Sequence, residues 1–355
     1  MPTRSRLFLR CARVSFPITC LLVGHLSIAN AQGTPPATIG GSTTEGQPVR
    51  LGEKVINGAP ANANNWPGIS SLRLYEPDTK KSVHFCGGSA IAKNWVLTAG
   101  HCMNDLDVLR RSFFPNDASR NIKLQVVIGS DNLETVAAAA VFDVDEADIR
   151  VPDNYKMAVK QARQARDDLG EVYAQGDIAL IKLTKAYAGP LSPLASTSEV
   201  EAPEAFDELL VAGFGATHPS GRDLKEIRRK DTGDLLMVSS PQLLEAPLAL
   251  VTQNDCNKAF PGAAIGDKQV CAGAAKTAKP TDSCNGDSGG PLVVITKPNR
   301  HIVQIGVVSY GPSPCASQAT PMGVYSRVFG YRDWILDVIK SPATRGGSTV
   351  FTPAQ

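Results

Sequence analysis

The chain has 355 residues, 43% hydrophobic and 20% charged, with a formal net charge of +2, which suits a large single fold or two small lobes and excludes a disordered chain. Arg4, Arg6, Arg10 and Arg13 precede every acidic residue and outweigh the whole surplus, so the rest of the chain carries −2 and no basic footprint for nucleic acid is expected. No uninterrupted apolar stretch reaches the roughly 18 to 20 residues that a membrane-spanning helix needs.

Residues 1–31 read as a secretory signal: arginines first, then the mostly apolar run Val14 to Ile28, then Ala29-Asn30-Ala31 as a small-x-small cleavage pattern. Eight cysteines become six once Cys11 and Cys20 leave with it, and an even number in an oxidising compartment suggests three disulfides. Six cysteines allow 15 pairings, and spacing leaves the choice open. Residues 32–50 are rich in Gly, Pro, Ser and Thr, lack hydrophobic periodicity and read as flexible.

From Val55 onward short apolar runs alternate with turn residues: Ser89–Ala99, Lys123–Gly129, Asp177–Leu183, Leu209–Gly213, Pro291–Ile295, Ile302–Ser309 and Gly323–Val328. Several are rich in Val and Ile and have strand lengths, so an all-β body is expected. Two segments read as helices. One is Met157–Tyr173, dominated by Ala, Lys, Gln and Arg. The other is Tyr331–Ile339, where Ile335, Val338 and Ile339 share a face. Residues 341–355 are polar and expected to fray.

Three stretches carry chemistry. WVLTAGHC ends in His101 and Cys102, GDIALIKL holds Asp177, and DSCNGDSGGP centres on Ser288. Alone, each has a bland reading: a structural His, a turn Asp, a tight Gly-rich turn. Together they supply a hydroxyl nucleophile, a base to take its proton and a carboxylate to orient that base.

The order of these residues and their local motifs resemble the trypsin/chymotrypsin-like serine proteases over about residues 55–340. The resemblance implies two antiparallel six-stranded β-barrels with the active site between them and a C-terminal α-helix. It implies His101, Asp177 and Ser288 as the catalytic triad, and the N–H groups of Gly286 and Ser288 as the oxyanion hole. Asp282 would lie at the bottom of the primary specificity pocket, Ser283 would line it, and Gly311 and Gly323 would keep it open for an Arg or Lys side chain. Ser309, Tyr310 and Gly311 would pair with extended substrate. KVINGAP, Lys54–Pro60, resembles the family's activation junction. Residues 32–54 would then be a pro-segment, and cleavage after Lys54 would free the Val55 ammonium to pair with Asp287. The implied disulfides are Cys86–Cys102, Cys256–Cys271 and Cys284–Cys315.

The expectation is a secreted (extracellular or periplasmic) monomeric serine endopeptidase, made as a zymogen. It has no metal or cofactor and no membrane contact once the signal is removed. Its partners are protein or peptide substrates, with protein protease inhibitors as further candidates. The rival class, a protease fold that only binds, usually lacks a triad member, whereas all three are present here. Three departures stand out. Gly100 replaces the common alanine before the catalytic His, Tyr310 stands where Trp is frequent, and Ser130 stands where calcium-binding members carry Glu. The stretch 157–173 reads as an insertion bordering the cleft that narrows access. Arg228-Arg229-Lys230 reads as a solvated surface run.

Overall fold

The computed structural model describes residues 54–104, 106–115, 121–160, 171–217, 239–274, 280–312, 315–317 and 320–341. The stretches read above as a signal (1–31) and a pro-segment (32–53), the Arg228–Lys230 run and the residues beyond 341 lie outside them.

Two closed barrels make up the body. The first uses β2 (Ile69–Glu76), β3 (Lys81–Ala92), β4 (Trp95–Thr98), β5 (Lys123–Ile128), β6 (Val141–Arg150) and β9 (Ala179–Leu183), in the order β2-β3-β4-β9-β6-β5. The second uses β10 (Phe206–Gly213), β11 (Leu244–Val251), β12 (Gln269–Ala274), β13 (Pro291–Thr296), β14 (Ile302–Tyr310) and β15 (Met322–Arg327). Its strands run β11-β10-β13-β14-β15-β12, and β12 pairs back onto β11 to close the ring. The short β1 (Ala59–Pro60) adds to β11. Closure leaves the barrels no long unpaired edges, and inward side chains fill each interior. Leu72, Leu97, Val126, Leu180 and Ile181 pack in the first. Val211, Leu244, Leu292, Val294 and Tyr325 pack in the second.

The run Ser89–Ala99 is two strands. β3 ends at Ala92, β4 begins at Trp95, and Ala92 pairs with Trp95 across the turn Lys93-Asn94. The C-terminal helix spans Val328–Lys340. It follows directly on a second-barrel strand, yet Val328, Tyr331 and Ile335 bury into the first barrel's cluster. Burial of a side chain such as Ile335 is worth about 1.5–3 kcal/mol, so this helix fastens the two halves.

Of the stretch Met157–Tyr173, residues 161–170 lie outside the described residues, and its described ends are strands and not helix. Lys156–Lys160 (β7) and Glu171–Gln175 (β8) pair antiparallel, with Val159 opposite Val172 and Met157 opposite Ala174. Helix propensity is worth only tenths of a kcal/mol per residue and yields to tertiary burial. Here Tyr173 and Ala174 are both buried.

Candidate active site

β4 and β9 pair with Thr98 opposite Ala179. The residues just past Thr98 and just before Ala179 therefore meet at one end of the first barrel. His101 lies there in the single turn Gly100–Met103. Its backbone N–H donates to Asp177 Oδ1 and its Nδ1 meets Asp177 Oδ2, both at 2.8 Å. The second barrel holds the same aspartate: the Ser309 hydroxyl donates to Oδ2 and the Ser326 hydroxyl to the Asp177 carbonyl, each at 2.5 Å. Asp177 is 1% exposed, and a buried carboxylate needs such partners.

Burial works against both charged forms. For His101 the Asp177 charge and hydrogen bond outweigh it and hold the imidazole above its ordinary 6.5. For Asp177 burial is likewise overcome, by His101 and then the Ser309 and backbone bonds, which keep the carboxyl below its ordinary 3.8.

Ser288 comes from the second barrel. Its carbonyl accepts from Gly87 N–H at 2.7 Å, and the next N–H, of Gly289, donates to the Val308 carbonyl at 2.8 Å. The Cys86–Cys102 disulfide ties the residue next to His101 to the strand that holds Gly87. Ser288 is half-buried. Among the described residues, no hydrogen bond joins its hydroxyl to His101. Gly286 has φ +95°, a region open to glycine, and a Cβ there would lie 3.0 Å from Gly215 Cα. Among the described residues, the N–H groups of Gly286 and Ser288 have no protein acceptor, so both are available to a developing oxyanion.

His84 belongs to this loop and was not singled out from the sequence. Its Nε2 lies 2.9 Å from the Gly286 carbonyl and its Nδ1 2.7 Å from Ser71 Oγ. A carbonyl only accepts, so Nε2 carries the proton and the Ser71 hydroxyl donates to Nδ1. Burial pushes its pKa down to about 4. The signal was a lone imidazole in the run HFCGG, which becomes an interior strand.

Asp287 is fully buried. Its Oδ1 accepts from Gly215 N–H at 2.8 Å and its Oδ2 from Cys284 N–H at 2.9 Å. Burial raises its pKa to about 7 despite those bonds. Val55 is also fully buried, among second-barrel core residues. It sits at φ 41°, and Asn57 at φ 59°. For a β-branched residue that is a strained backbone.

Asp282 is 1% exposed. Its Oδ2 accepts from Ala316 N–H at 2.9 Å, while among the described residues Oδ1 is buried with no hydrogen-bond partner. Burial lifts this carboxyl to about 6. Gly323 faces it: a Cβ there would lie 3.7 Å from Asp282 Oδ1, and one on Gly311 would lie 3.6 Å from Gly323 Cα. The Ser283 hydroxyl shares a 3.2 Å hydrogen bond with the Tyr325 hydroxyl. Cys284–Cys315 closes this region, and Cys256–Cys271 braces the loop beside it. Of the three residues expected to meet substrate, Ser309 spends its hydroxyl on Asp177, and Tyr310 turns its ring toward Tyr173 and Phe260.

The sequence matches a family model described as Trypsin over residues 55–335. Trypsin II-P29 of Gallus gallus is 29% identical over 289 residues, covering 81% of this chain and 90% of that protein. Putative trypsin-6 of Homo sapiens is 29% identical over 287 residues, with the same coverage of both chains. Coagulation factor XI of Bos taurus is 29% identical over 296 residues, which are 82% of this chain and 39% of that longer protein.

Proposed function

The chain belongs to the trypsin family of serine endopeptidases, and we propose that it cleaves after Arg and Lys, is exported as a zymogen and is activated by cleavage after Lys54. The Ser288 hydroxyl attacks the substrate carbonyl while His101 Nε2 takes its proton. Asp177 fixes the tautomer through Nδ1–H and stabilises the imidazolium. The N–H groups of Gly286 and Ser288 receive the oxyanion, each such donor being worth about 100- to 1000-fold in rate. His101 returns the proton to the leaving amine, leaving an acyl-enzyme on Ser288. Water, deprotonated by the same imidazole, then releases the acid.

One observation supports this specificity: an Asp282 oxygen buried beneath two glycines and, among the described residues, without a partner. An unpaired buried carboxylate is costly, and a guanidinium or ammonium entering over it removes that cost. The pocket therefore favours a cation over an apolar side chain of equal size.

Activation follows from the junction. The strained Val55 lies buried among second-barrel core residues, and Asp287 is buried beside Gly213 and Gly215 at the end of β10 of that barrel. Cleavage after Lys54 releases that backbone and creates an ammonium for the buried carboxylate. Lys54 suits the enzyme's own pocket, so self-activation is open to it. Three disulfides support folding in an oxidising compartment. Protein substrates, and protein inhibitors that mimic them, are the expected partners.

N-terminal sequencing of active protein, a serine-directed organophosphate label and paired peptides ending in Arg, Lys, Phe or Leu test the reading together. A Val55 start, labelled Ser288 and cleavage after Arg or Lys are expected. Preference for Phe or Leu would overturn the pocket assignment, and an active chain starting elsewhere would overturn the activation step.

A further inference from the structure

Asp177 lies just ahead of β9 in the first barrel, yet two strands of the second barrel grip it. β14 and β15 pair with Val307 opposite Ser326. Val307 packs into the first barrel's cluster, so this face of the ladder looks toward the first barrel. A β-bulge between Val308 and Tyr310 leaves Ser309 unpaired, and a bulge re-aims the side chain it carries. The Ser309 hydroxyl donates to Asp177 Oδ2 and the Ser326 hydroxyl to the Asp177 carbonyl, each at 2.5 Å. Ser326 is buried, and its partner is 149 residues away in the chain. The turn it holds is tight: Gly176 has φ +66°, and the Ile178 N–H donates to the Gly176 carbonyl at 2.8 Å.

The two bonds do different things. A bond to Oδ2 alone orients the carboxylate and leaves the aspartate free to turn about its Cα. A bond to the carbonyl fixes the peptide from which the side chain starts. With both in place the carboxylate stays 2.8 Å from the His101 backbone N–H and from Nδ1. We propose that Ser326 is a positioning residue for the triad: its hydroxyl fixes the Asp177 peptide and, through it, the distance over which the carboxylate holds the imidazole. Earlier on the same strand Gly323 faces Asp282, so one rigid element sets pocket and triad together. The inference rests on the triad proposed above and is independent of the Arg/Lys preference.

The test uses processed enzyme and whichever peptide substrate the wild type cleaves. In Ser326→Ala, kcat and the rate of organophosphate labelling of Ser288 should fall together by about 10- to 100-fold, the scale of a misplaced catalytic group, with KM within about threefold of wild type. The midpoint of the kcat/KM profile against pH should also move down. Among the described residues Asp177 is the charged group acting on His101, and once it drifts, burial meets less opposition from its charge and hydrogen bond. Ser326→Thr and Ser326→Val have one shape and differ in the hydroxyl: the Thr variant should keep the wild-type midpoint and the Val variant should share the lowered one. Val307→Ala, across the ladder, removes core packing and no hydrogen bond, so it should lower the melting temperature and leave the midpoint in place. A Ser326→Ala enzyme with the wild-type rate, or a slower one with the wild-type midpoint, overturns the proposal, as does an equal midpoint shift in Val307→Ala. Should Ser326→Ala not fold, the Thr and Val variants are compared with each other, and equal midpoints overturn it. Absence of label on wild-type Ser288 would overturn the triad itself and this proposal with it, whereas the variant results overturn this proposal alone.

Discussion

Asp177 receives two hydrogen bonds from His101, one from the backbone N–H and one from Nδ1, both at 2.8 Å. The pair fixes ring orientation and tautomer together, because a carboxylate can only accept from Nδ1–H and so leaves the Nε2 lone pair free. An asparagine can present its amide N–H instead and stabilise the opposite tautomer. Asp177→Asn should therefore lower kcat on the order of 10⁴-fold, with a much smaller change in KM. The pH profile should move as well. A protonated His101 cannot accept the Ser288 proton, and Asp177 holds its pKa above 6.5, so wild-type kcat/KM should climb as pH rises through a value above 6.5. Without the carboxylate, burial acts unopposed, and the residual activity of the variant should rise at lower pH. Profiles for both enzymes check this, and coincident midpoints would contradict it.

If the chain is made as the proposed zymogen, its uncleaved form should show the electrostatic cost of Asp287. Its folded pKa is raised from 3.8 to about 7 and that of Asp282 to about 6, both first by burial. A carboxyl with a raised folded pKa binds more protons folded than unfolded, so its contribution to stability falls as pH climbs from about 4 to about 7. For Asp287 the span amounts to a few kcal/mol on the order of 1.4 per pKa unit. His84 works in the opposite direction. Depressed from 6.5 to about 4, it contributes stability present above 6.5 and lost as pH falls toward 4. Comparing Ser288→Ala precursor with and without Asp287→Asn isolates the first effect. The melting-temperature difference should shift in favour of the Asn variant between pH 5 and pH 8, and a difference independent of pH would rule the account out.

What could be read from the chain divides along a physical line. Strand runs with near-continuous apolar character, such as Pro291–Ile295, declare themselves because both their faces are buried. His101, Asp177 and Ser288 stand out because each sits in a short motif whose neighbours are fixed by the turn it occupies. Contacts made at long range leave no local trace. The Ser309 hydroxyl reaches an aspartate 132 residues away, and nothing near Ser309 announces it. The paired strands Lys156–Lys160 and Glu171–Gln175 escape a local reading for the same reason. The composition of Met157–Tyr173 favours a helix, and the burial of Tyr173 beside Phe260 and Tyr310, which decides for strand at that end, becomes visible only once both barrels are assembled.

The pocket glycines should control activity while leaving the fold intact. A methyl on Gly323 would sit 3.6 Å from the Tyr310 carbonyl oxygen and Tyr325 Cε2 and 3.7 Å from Asp282 Oδ1, all ordinary contact distances. Gly323→Ala should therefore keep the melting temperature, or raise it slightly through the unfolded chain's lost freedom. On the specificity proposed above, the methyl takes space that a substrate side chain needs above the carboxylate. Cleavage after Arg or Lys should fall by about 10- to 200-fold in kcat/KM, while organophosphate labelling of Ser288, which does not require the pocket, continues. Unaltered kinetics would mean that substrate does not pass between Gly311 and Gly323.

Gly100 should prove to be a packing requirement set by Tyr155. A Cβ at Gly100 would lie 2.9 Å from Tyr155 Cδ2, 3.0 Å from Cε2 and 3.3 Å from Asp177 Oδ1, closer than side-chain carbons pack. In a helical turn alanine would otherwise be favoured over glycine by up to about 1 kcal/mol, so local preference and packing oppose each other. Packing should win: Gly100→Ala is expected to destabilise by about 1–3 kcal/mol. It should also lower kcat, because the methyl presses on the oxygen that holds the His101 backbone. Tyr155→Leu removes the ring atoms nearest that methyl. In the double variant the two losses should be less than additive, with a coupling of about 0.5–3 kcal/mol measurable by urea denaturation. Strict additivity would show that the Tyr155 ring yields freely, and the glycine before His101 would then need another cause.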